Sequence, residues 1–266
     1  MNIDIISTQW LFFITIALVL ISIEAGHRLG KFSHLRSQEE KESPVSAMTA
    51  SVLGLTAFML AFTFGIVSDR YYHKKELVRD DASAIKIAFQ RSDFLPLDKD
   101  RVEAKGLVKK YLSLRLELAR SGKIEPEKMT KSLSEIENIQ TSLWDMAVIN
   151  ARKNMNSDVA ALYLESLNEM NKIHMLRVAV GVQERIPNEI WLALYMITIL
   201  GMISVGYQTG ISGSKRTLAG PILAITFAIV FALISILDRP AGMIRVSQQP
   251  LLDLQAWMSN YEKKQT

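Results

Sequence analysis

Asp69, His73 and Glu76 fall at i, i+4 and i+7, and Asp80 extends the row, so all four share one helical face. Oxygen and imidazole donors set in that way can hold a divalent cation. The same spacing describes a solvated, ion-paired face, and Lys74 and Lys75 interrupt the row; no metal site is assigned. Glu24 closes an apolar run in Ile21-Ser22-Ile23-Glu24-Ala25-Gly26-His27-Arg28. It is either an ion or proton site partnered by His27 or Arg28, or a carboxylate already wet at the headgroup boundary. Two dipeptides, Asp69-Arg70 and Asp238-Arg239, each follow an apolar run. Reciprocal salt bridges between them would lock two helix ends together or order the mouth of a pore.

Catalytic chemistry finds no foothold. His27, His34, His73 and His174 are scattered, without an HExxH pair, a phosphate-cradling glycine loop or a serine in a nucleophile elbow. With no Cys in the chain, disulfides, thiolate metal sites and thiol nucleophiles are excluded together. No catalytic residue, metal or cofactor is expected, and the chain is not read as an enzyme. The net charge of +4 comes from Lys and Arg interleaved with Asp and Glu, which suits anionic lipid rather than nucleic acid.

The elements that carry these residues are helices. Hydrophobic residues make up 49% of the 266, and they cluster in blocks that membrane spans explain better than a soluble core. Ala47 to Val67 holds no charge and is long enough to cross about 30 Å of hydrocarbon as a helix. No Pro or Gly follows Val67 until well past the span, so this helix is expected to run on as a charged soluble helix to about Ser92. On it, Ala47, Ala50, Gly54, Ala57, Ala61, Gly65 and Ser68 form a seam of small side chains suited to close helix packing. Three more spans are read: Trp10–Ile23 (extended back to Ile5), Ile190–Tyr207 and Leu218–Leu237. Trp10, Trp191 and Tyr207 are expected at the membrane interface. The first apolar run is retained rather than cleaved, since no basic n-region or small-residue cleavage site accompanies it.

Residues 1–68 therefore carry spans one and two, 69–186 a helical bundle, 187–238 spans three and four, and 239–266 a C-terminal amphipathic helix and tail. The stretch from His27 to Pro44 is read as a basic-then-acidic loop, and Gln208 to Thr217 as a flexible Gly/Ser turn. In the insert, helices are expected from Asp98 to Ala119, stopping at Ser121-Gly122, from Pro126 with Leu133, Ile136, Ile139 and Leu143 at helical spacing, and from the Asn154–Ser157 break to before Pro187. Gln249 to Met258 should form a short amphipathic helix, packed on the bundle or lying in the interface. The fold class is all-α membrane protein.

The central stretch resembles the second transmembrane helix of the bestrophins, a family of pentameric ion channels. Leu60-Ala61-Phe62, six residues, Asp69-Arg70-Tyr71-Tyr72, Lys74-Lys75 and Asp80-Asp81 carry that likeness over about forty residues. Over nearly its whole length the chain is similar to the bacterial bestrophin-like membrane protein family, through Glu24-Ala25-Gly26, Gly54 to Phe64, and Leu237-Asp238-Arg239-Pro240. The resemblance implies two spans, a helical insert and two spans, in a homopentamer whose second helix lines a pore. Gly54, Phe58 and Phe62 then take the neck positions, and rings of Phe make a dry constriction that gates by dewetting. Thr63 to Val67 depart from the bestrophin pattern at that point, so ion selectivity is not carried over.

Two functions follow from different classes. One is a homo-oligomeric, pentameric channel passing inorganic ions across the lipid bilayer. The other is a membrane-anchored sensor or scaffold whose insert binds a protein partner, the seam serving helix packing alone. With four spans, both termini and the insert share one side. The basic loop Arg28 to Lys41 and the cluster Arg70, Lys74, Lys75 and Arg79 point to opposite sides by the positive-inside count. The bestrophin likeness places the insert and termini in the cytoplasm and the protein in the bacterial inner membrane.

Overall fold

A computed structural model describes residues 7–36, 42–120, 126–153, 155–180, 185–213, 218–239 and 246–263. Eight α-helices account for nearly all of them: α1 (Thr8–Arg36), α2 (Glu42–Arg91), α3 (Asp98–Arg120), α4 (Pro126–Lys153), α5 (Ser157–Val178), α6 (Asn188–Ile211), α7 (Ala219–Asp238) and α8 (Gln249–Lys263). No strand occurs among the described residues. α1, α2, α6 and α7 are each long and apolar enough to cross a membrane. The chain divides into two compact units: Met1–Tyr71 with Arg185–Ile244, and Tyr72–Glu184 with Arg245–Thr266.

Helix boundaries follow local chemistry. Pro44, Pro126 and Pro221 sit in first turns, where a missing N–H costs nothing. The Asn156 side chain caps α5 by accepting the Asp158 backbone N–H at 2.9 Å. α2 is continuous from Glu42 to Arg91, as the lack of any breaker after Val67 predicts. Two expected loops are instead helical. α1 continues through the charged residues His27 to Arg36, and α6 through Gln208 to Ile211. Charge marks where a span leaves hydrocarbon, but it does not end a helix that water can solvate. Residues 37–41 and 214–217 of those two loops, the Ser121-Gly122 stop, Pro240, the extension of α1 back to Ile5 and the last three residues lie outside the described residues.

In the apolar unit, α1 and α6 meet with almost no space between their backbones. A Cβ at Gly26 would lie 2.0 Å from the Ile203 carbonyl oxygen, and one at Gly30 would lie 2.3 Å from that of Tyr207. Reciprocally, a Cβ at Gly206 would lie 2.0 Å from the Ile23 oxygen, and one at Gly210 would lie 2.5 Å from that of His27. Two glycine pairs four residues apart, one on each helix, thus build the crossing. Nearer the start of α6, Trp191, Tyr195 and Phe231 pack together, with Tyr195 and Phe231 stacked at 4.5 Å, and the Thr15 hydroxyl meets the Tyr195 hydroxyl at 3.1 Å. Trp191 is buried within the protomer, whereas Trp10 is exposed.

The seam on α2 behaves differently. Thr49, Thr56, Leu60, Thr63 and Val67 form its buried face, while Ala47, Ala50, Gly54, Ala57, Ala61 and Gly65 are exposed. A Cβ at Gly54 or Gly65 meets nothing within 4 Å. Close packing inside the protomer belongs to α1 and α6, not to the row of small residues on α2.

The second unit is a bundle of the Tyr72–Arg91 part of α2 with α3, α4, α5 and α8. Ile85, Phe89, Leu112, Ile136, Leu143, Leu167 and Met170 are fully buried there, and Leu251, Leu254 and Met258 of α8 join them. Phe89 meets Trp257 and Tyr261 edge-on, each at 6.0 Å. The amphipathic C-terminal helix thus packs on the bundle.

The glycine crossing predicts a sharp contrast between two substitutions. Gly206→Ala drives a methyl into backbone that has no rotamer to yield. It should cost about 3 kcal/mol, equivalent to a fall of about 6–12 °C in the thermal midpoint of the detergent-solubilised protein. Gly106→Ala enters open space on an exposed face of α3 and should leave that midpoint unchanged or slightly higher. Thermal unfolding followed by fluorescence-detected size exclusion reads both.

Candidate functional site

Three groups of residues concentrate the chemistry: the exposed face of α2, the contact between the middle of α2 and the end of α7, and a charge cluster inside the bundle. On the first, Phe58 and Phe62 are 64% and 59% exposed. They are stacked on each other with ring centroids 6.3 Å apart, and Gly54 lies one turn before them with an open Cβ direction. All three are on the same exposed side of α2. Within one protomer this face is apolar and uncovered, which suits lipid, a second copy of the chain or a lumen.

Midway along α2, where its apolar stretch gives way to charge, Arg70 donates to Oδ1 of Asp238, the last residue of α7, at 3.1 Å, with side chains 18% and 5% exposed. The same oxygen accepts the backbone N–H of Ile186 at 3.1 Å. Asp238 thereby satisfies a helix-end cation and a buried peptide donor together, on the segment that leads into α6. The expected reciprocal partner pair does not form. Asp69 is exposed, and Arg239 donates to the Thr8 hydroxyl at 3.5 Å. Glu24 accepts from Arg28 at 2.8 Å, one turn along α1. His27 turns to α6, with its Nδ1 3.4 Å from the Thr209 hydroxyl. Of the Asp69–His73–Glu76 row, His73 and Glu76 approach at 3.8 Å on an exposed surface. No grouping of three or more metal-ligating side chains occurs among the described residues.

The bundle holds a cluster that spacing along the sequence gives no hint of. Asp81, on the α2 part of the bundle, is fully buried. Its Oδ2 accepts from Arg115 of α3 through Nε at 3.2 Å and Nη2 at 3.1 Å, and from Arg177 of α5. Arg177 also donates to the Gln248 side-chain oxygen at 3.1 Å. The other face of Arg115 approaches His174 Nδ1 at 3.3 Å. An arginine can only donate, so Nδ1 is the acceptor and the neutral ring carries its proton on Nε2. Burial, reinforced by the Arg115 charge, pulls the His174 pKa from 6.5 down to about 4. Burial, with the Asp81 carboxylate beside it, pushes the Tyr111 phenol well above its usual range. One carboxylate oxygen therefore ties α2, α3 and α5 together, while burial first, and the guanidinium groups beside it second, keep the histidine neutral.

Four membrane-length helices with a helical bundle inserted between the second and third define a multi-pass helical membrane protein. The model of the bestrophin-like domain matches residues 13–251, and the chain belongs to the bestrophin-like family. Solved structures agree in fold. Two point mutants of a bacterial bestrophin homologue from Klebsiella pneumoniae align with TM-scores of 0.62 and 0.65, at 13% and 12% identity. They cover 94% and 95% of this chain, and 97% and 98% of those chains. A further crystal structure of the Klebsiella pneumoniae homologue gives 0.59 at 14% identity, covering 93% of this chain and 98% of that one. No curated protein matches the chain in sequence.

Two measurable consequences follow. Asp238→Ala leaves Arg70 and the Ile186 N–H without their shared acceptor, and should destabilise the protein by about 3 kcal/mol. The pair Arg70→Met with Asp238→Leu should recover part of that loss in a double-mutant cycle of thermal midpoints. The second consequence concerns acid. Because folding lowers the His174 pKa, the unfolded chain takes up the proton first. Stability is fully present above about pH 6.5 and is lost as pH falls towards 4, by about 3 kcal/mol in all. His174→Gln should remove that component, which the difference between the two pH–stability curves measures.

Proposed function

We propose that the protein is a homopentameric ion channel of the bacterial inner membrane, with a pore lined by α2. The observation that carries the reading is the uncovered face of α2. A row of small residues that includes Gly54, with Phe58 and Phe62 beside it, is left uncovered in the protomer, on the helix that resembles the bestrophin pore helix. Five copies bring the small side chains close enough for α2 to pack around an axis, and the rings of Phe58 and Phe62 narrow it. Apolar rings of that kind hold back ions by excluding water, and they open by small changes in radius. Asp238 and Arg70 fasten α2, where its apolar stretch ends, to α7. Glu24, held by Arg28 one turn along α1, lies on α1 rather than on the pore-lining helix. Inorganic ions are the permeant class, and the bundle and both termini lie in the cytoplasm.

The likeness in fold to the Klebsiella pneumoniae bestrophin homologues supports this reading, as does the family match. Particle counting by mass photometry in detergent should give five chains per complex. A monomer or dimer would remove the pore, and a protein partner captured stably by the bundle would favour the scaffold function. In planar bilayers the purified protein should conduct, and Phe58→Ala combined with Phe62→Ala should raise unitary conductance severalfold by widening and wetting the constriction. An intact pentamer that stays silent across voltage, pH and ion type argues against conduction. A fluorescent reporter fused after Thr266 should be bright in the cytoplasm, and alkaline phosphatase fused there should be inactive.

A further inference from the structure

The uncovered side of α1 carries a motif that the proposed channel leaves unused. Ile14, Ala17, Ile21, Glu24, Arg28 and Lys31 follow one another every three or four residues, so they form one stripe, and all but the half-buried Glu24 are exposed. Trp10, an exposed indole, suits one membrane interface. Counted from there at 1.5 Å per residue, Arg28 lies about 27 Å further along the helix, close to the thickness of the hydrocarbon layer. The return of α7 sets the same level. Arg239, just past its end, meets Thr8, and Ala224 shares a buried cluster with Val19. Ala219, the first residue of α7, is then about level with Glu24. The stripe therefore changes from apolar to charged at headgroup depth, and Arg28 and Lys31 stand where lipid phosphates lie. Arg28 is already oriented. Its Nε donates to Glu24 Oε1 at 2.8 Å, which fixes the plane of the guanidinium. The side chain is still 77% exposed, and neither Nη group meets an acceptor among the described residues.

We infer that Arg28 and Lys31 bind the phosphodiester of an anionic phospholipid, with Glu24 as the residue that positions Arg28. The two Nη groups offer parallel donors to two phosphate oxygens, a match that an ammonium cannot reproduce. Lys31 adds a cation one turn on, at helix-neighbour distance from Arg28. Glu24 cancels one of the two positive charges, and the remainder balances one phosphodiester. Phe32, exposed and one turn past Arg28, suits the wet apolar boundary. The acyl chains of such a lipid lie along Ile21, Ala17 and Ile14. A zwitterionic lipid is disfavoured, because its ammonium meets two cations and the one carboxylate nearby is engaged by Arg28. The arrangement also gives Glu24 a use at that depth, where a carboxylate is costly without a partner. It concerns α1 alone, and stands whether or not the protein conducts ions.

The test titrates the full chain in non-ionic detergent with dioctanoyl phosphatidylglycerol or dioctanoyl phosphatidylethanolamine, and counts bound lipid by native mass spectrometry. Phosphatidylglycerol should bind saturably, and at least about fivefold more tightly than phosphatidylethanolamine. Inorganic phosphate at equal concentration should not displace it. Arg28→Gln and Lys31→Gln should each weaken phosphatidylglycerol by about fivefold, the worth of one basic side chain at an anionic lipid surface. Arg28→Lys keeps the charge but loses the paired donors, and should weaken it severalfold. Lys131→Gln combined with Lys153→Gln removes two exposed charges from α4 and should change nothing. Lys31→Gln leaves the Glu24–Arg28 pair intact, and carries the test should Arg28→Gln fail to fold. Equal affinity for the two lipids, displacement by inorganic phosphate, parental binding by folded Lys31→Gln or Arg28→Lys protein, or an equal loss in the α4 variant would each overturn the assignment.

Discussion

The contact between α1 and α6 sets the terms for the rest of the apolar unit. In hydrocarbon, helices gain nothing by hiding apolar side chains from lipid, so association rests on how closely backbones approach and how well they interlock. Gly26, Gly30, Gly206 and Gly210 let carbonyls of one helix sit where side chains of the other would be. Such an approach fixes register along both helices, because a shift of one residue places a Cβ against a carbonyl oxygen. Tyr195, Trp191 and Phe231 then find their mutual stacking already aligned.

The bundle solves the opposite problem. Water surrounds it, apolar burial is worth having, and its core of Ile, Leu, Phe and Tyr is ordinary for a soluble protein. Its distinctive feature is a fully buried carboxylate shared by two arginines. Removing Asp81 would leave two guanidinium groups without a counter-charge in a dry interior. Asp81 therefore specifies which faces of α2, α3 and α5 meet more than it adds to stability. Neutral His174 completes that arrangement by accepting from Arg115 without bringing a third positive charge.

How much of this could be read from sequence depends on the range of each interaction. The span and soluble continuation of α2 follow from an uncharged run with no breaker after it, both local properties. The starts of α4 and α5 follow from Pro126 and the Asn156 cap for the same reason. The helical course of His27 to Arg36 was hidden because charge and polarity imitate a loop when read residue by residue. The Gly26–Gly30 and Gly206–Gly210 pairs were visible as small residues four apart, yet only their partner helix reveals that they carry the close contact. The longer row of small residues on α2 drew that role instead. Asp81 with Arg115 and Arg177 joins positions 34 and 96 residues apart, and nothing in local spacing signals a pairing of that range. The Arg70–Asp238 contact, 168 residues apart, was within reach because two Asp-Arg dipeptides end two spans. The Asp69–Arg239 pair that the same dipeptides suggest does not form, because Asp69 is exposed and Arg239 turns to Thr8.

The buried face of α2 carries three threonines seven residues apart, Thr49, Thr56 and Thr63. Thr56 and Thr63 donate back to carbonyls of their own helix, at 2.8 Å each, while Thr49 reaches across to the Ser204 oxygen at 3.3 Å. A hydroxyl satisfied at home presents neighbouring helices with a methyl and an oxygen that asks nothing of them. Over two heptads this face of α2 thus asks little of its neighbours, and polar contacts hold the helix on either side of it, Thr49 to the Ser204 carbonyl and Arg70 to Asp238. Where the glycine crossing of α1 and α6 admits no change of register, the stretch of α2 between those two anchors tolerates a roll of a few degrees without orphaning a polar group. Glycine fixes one contact by shape, and threonine leaves the other to be fixed at its ends.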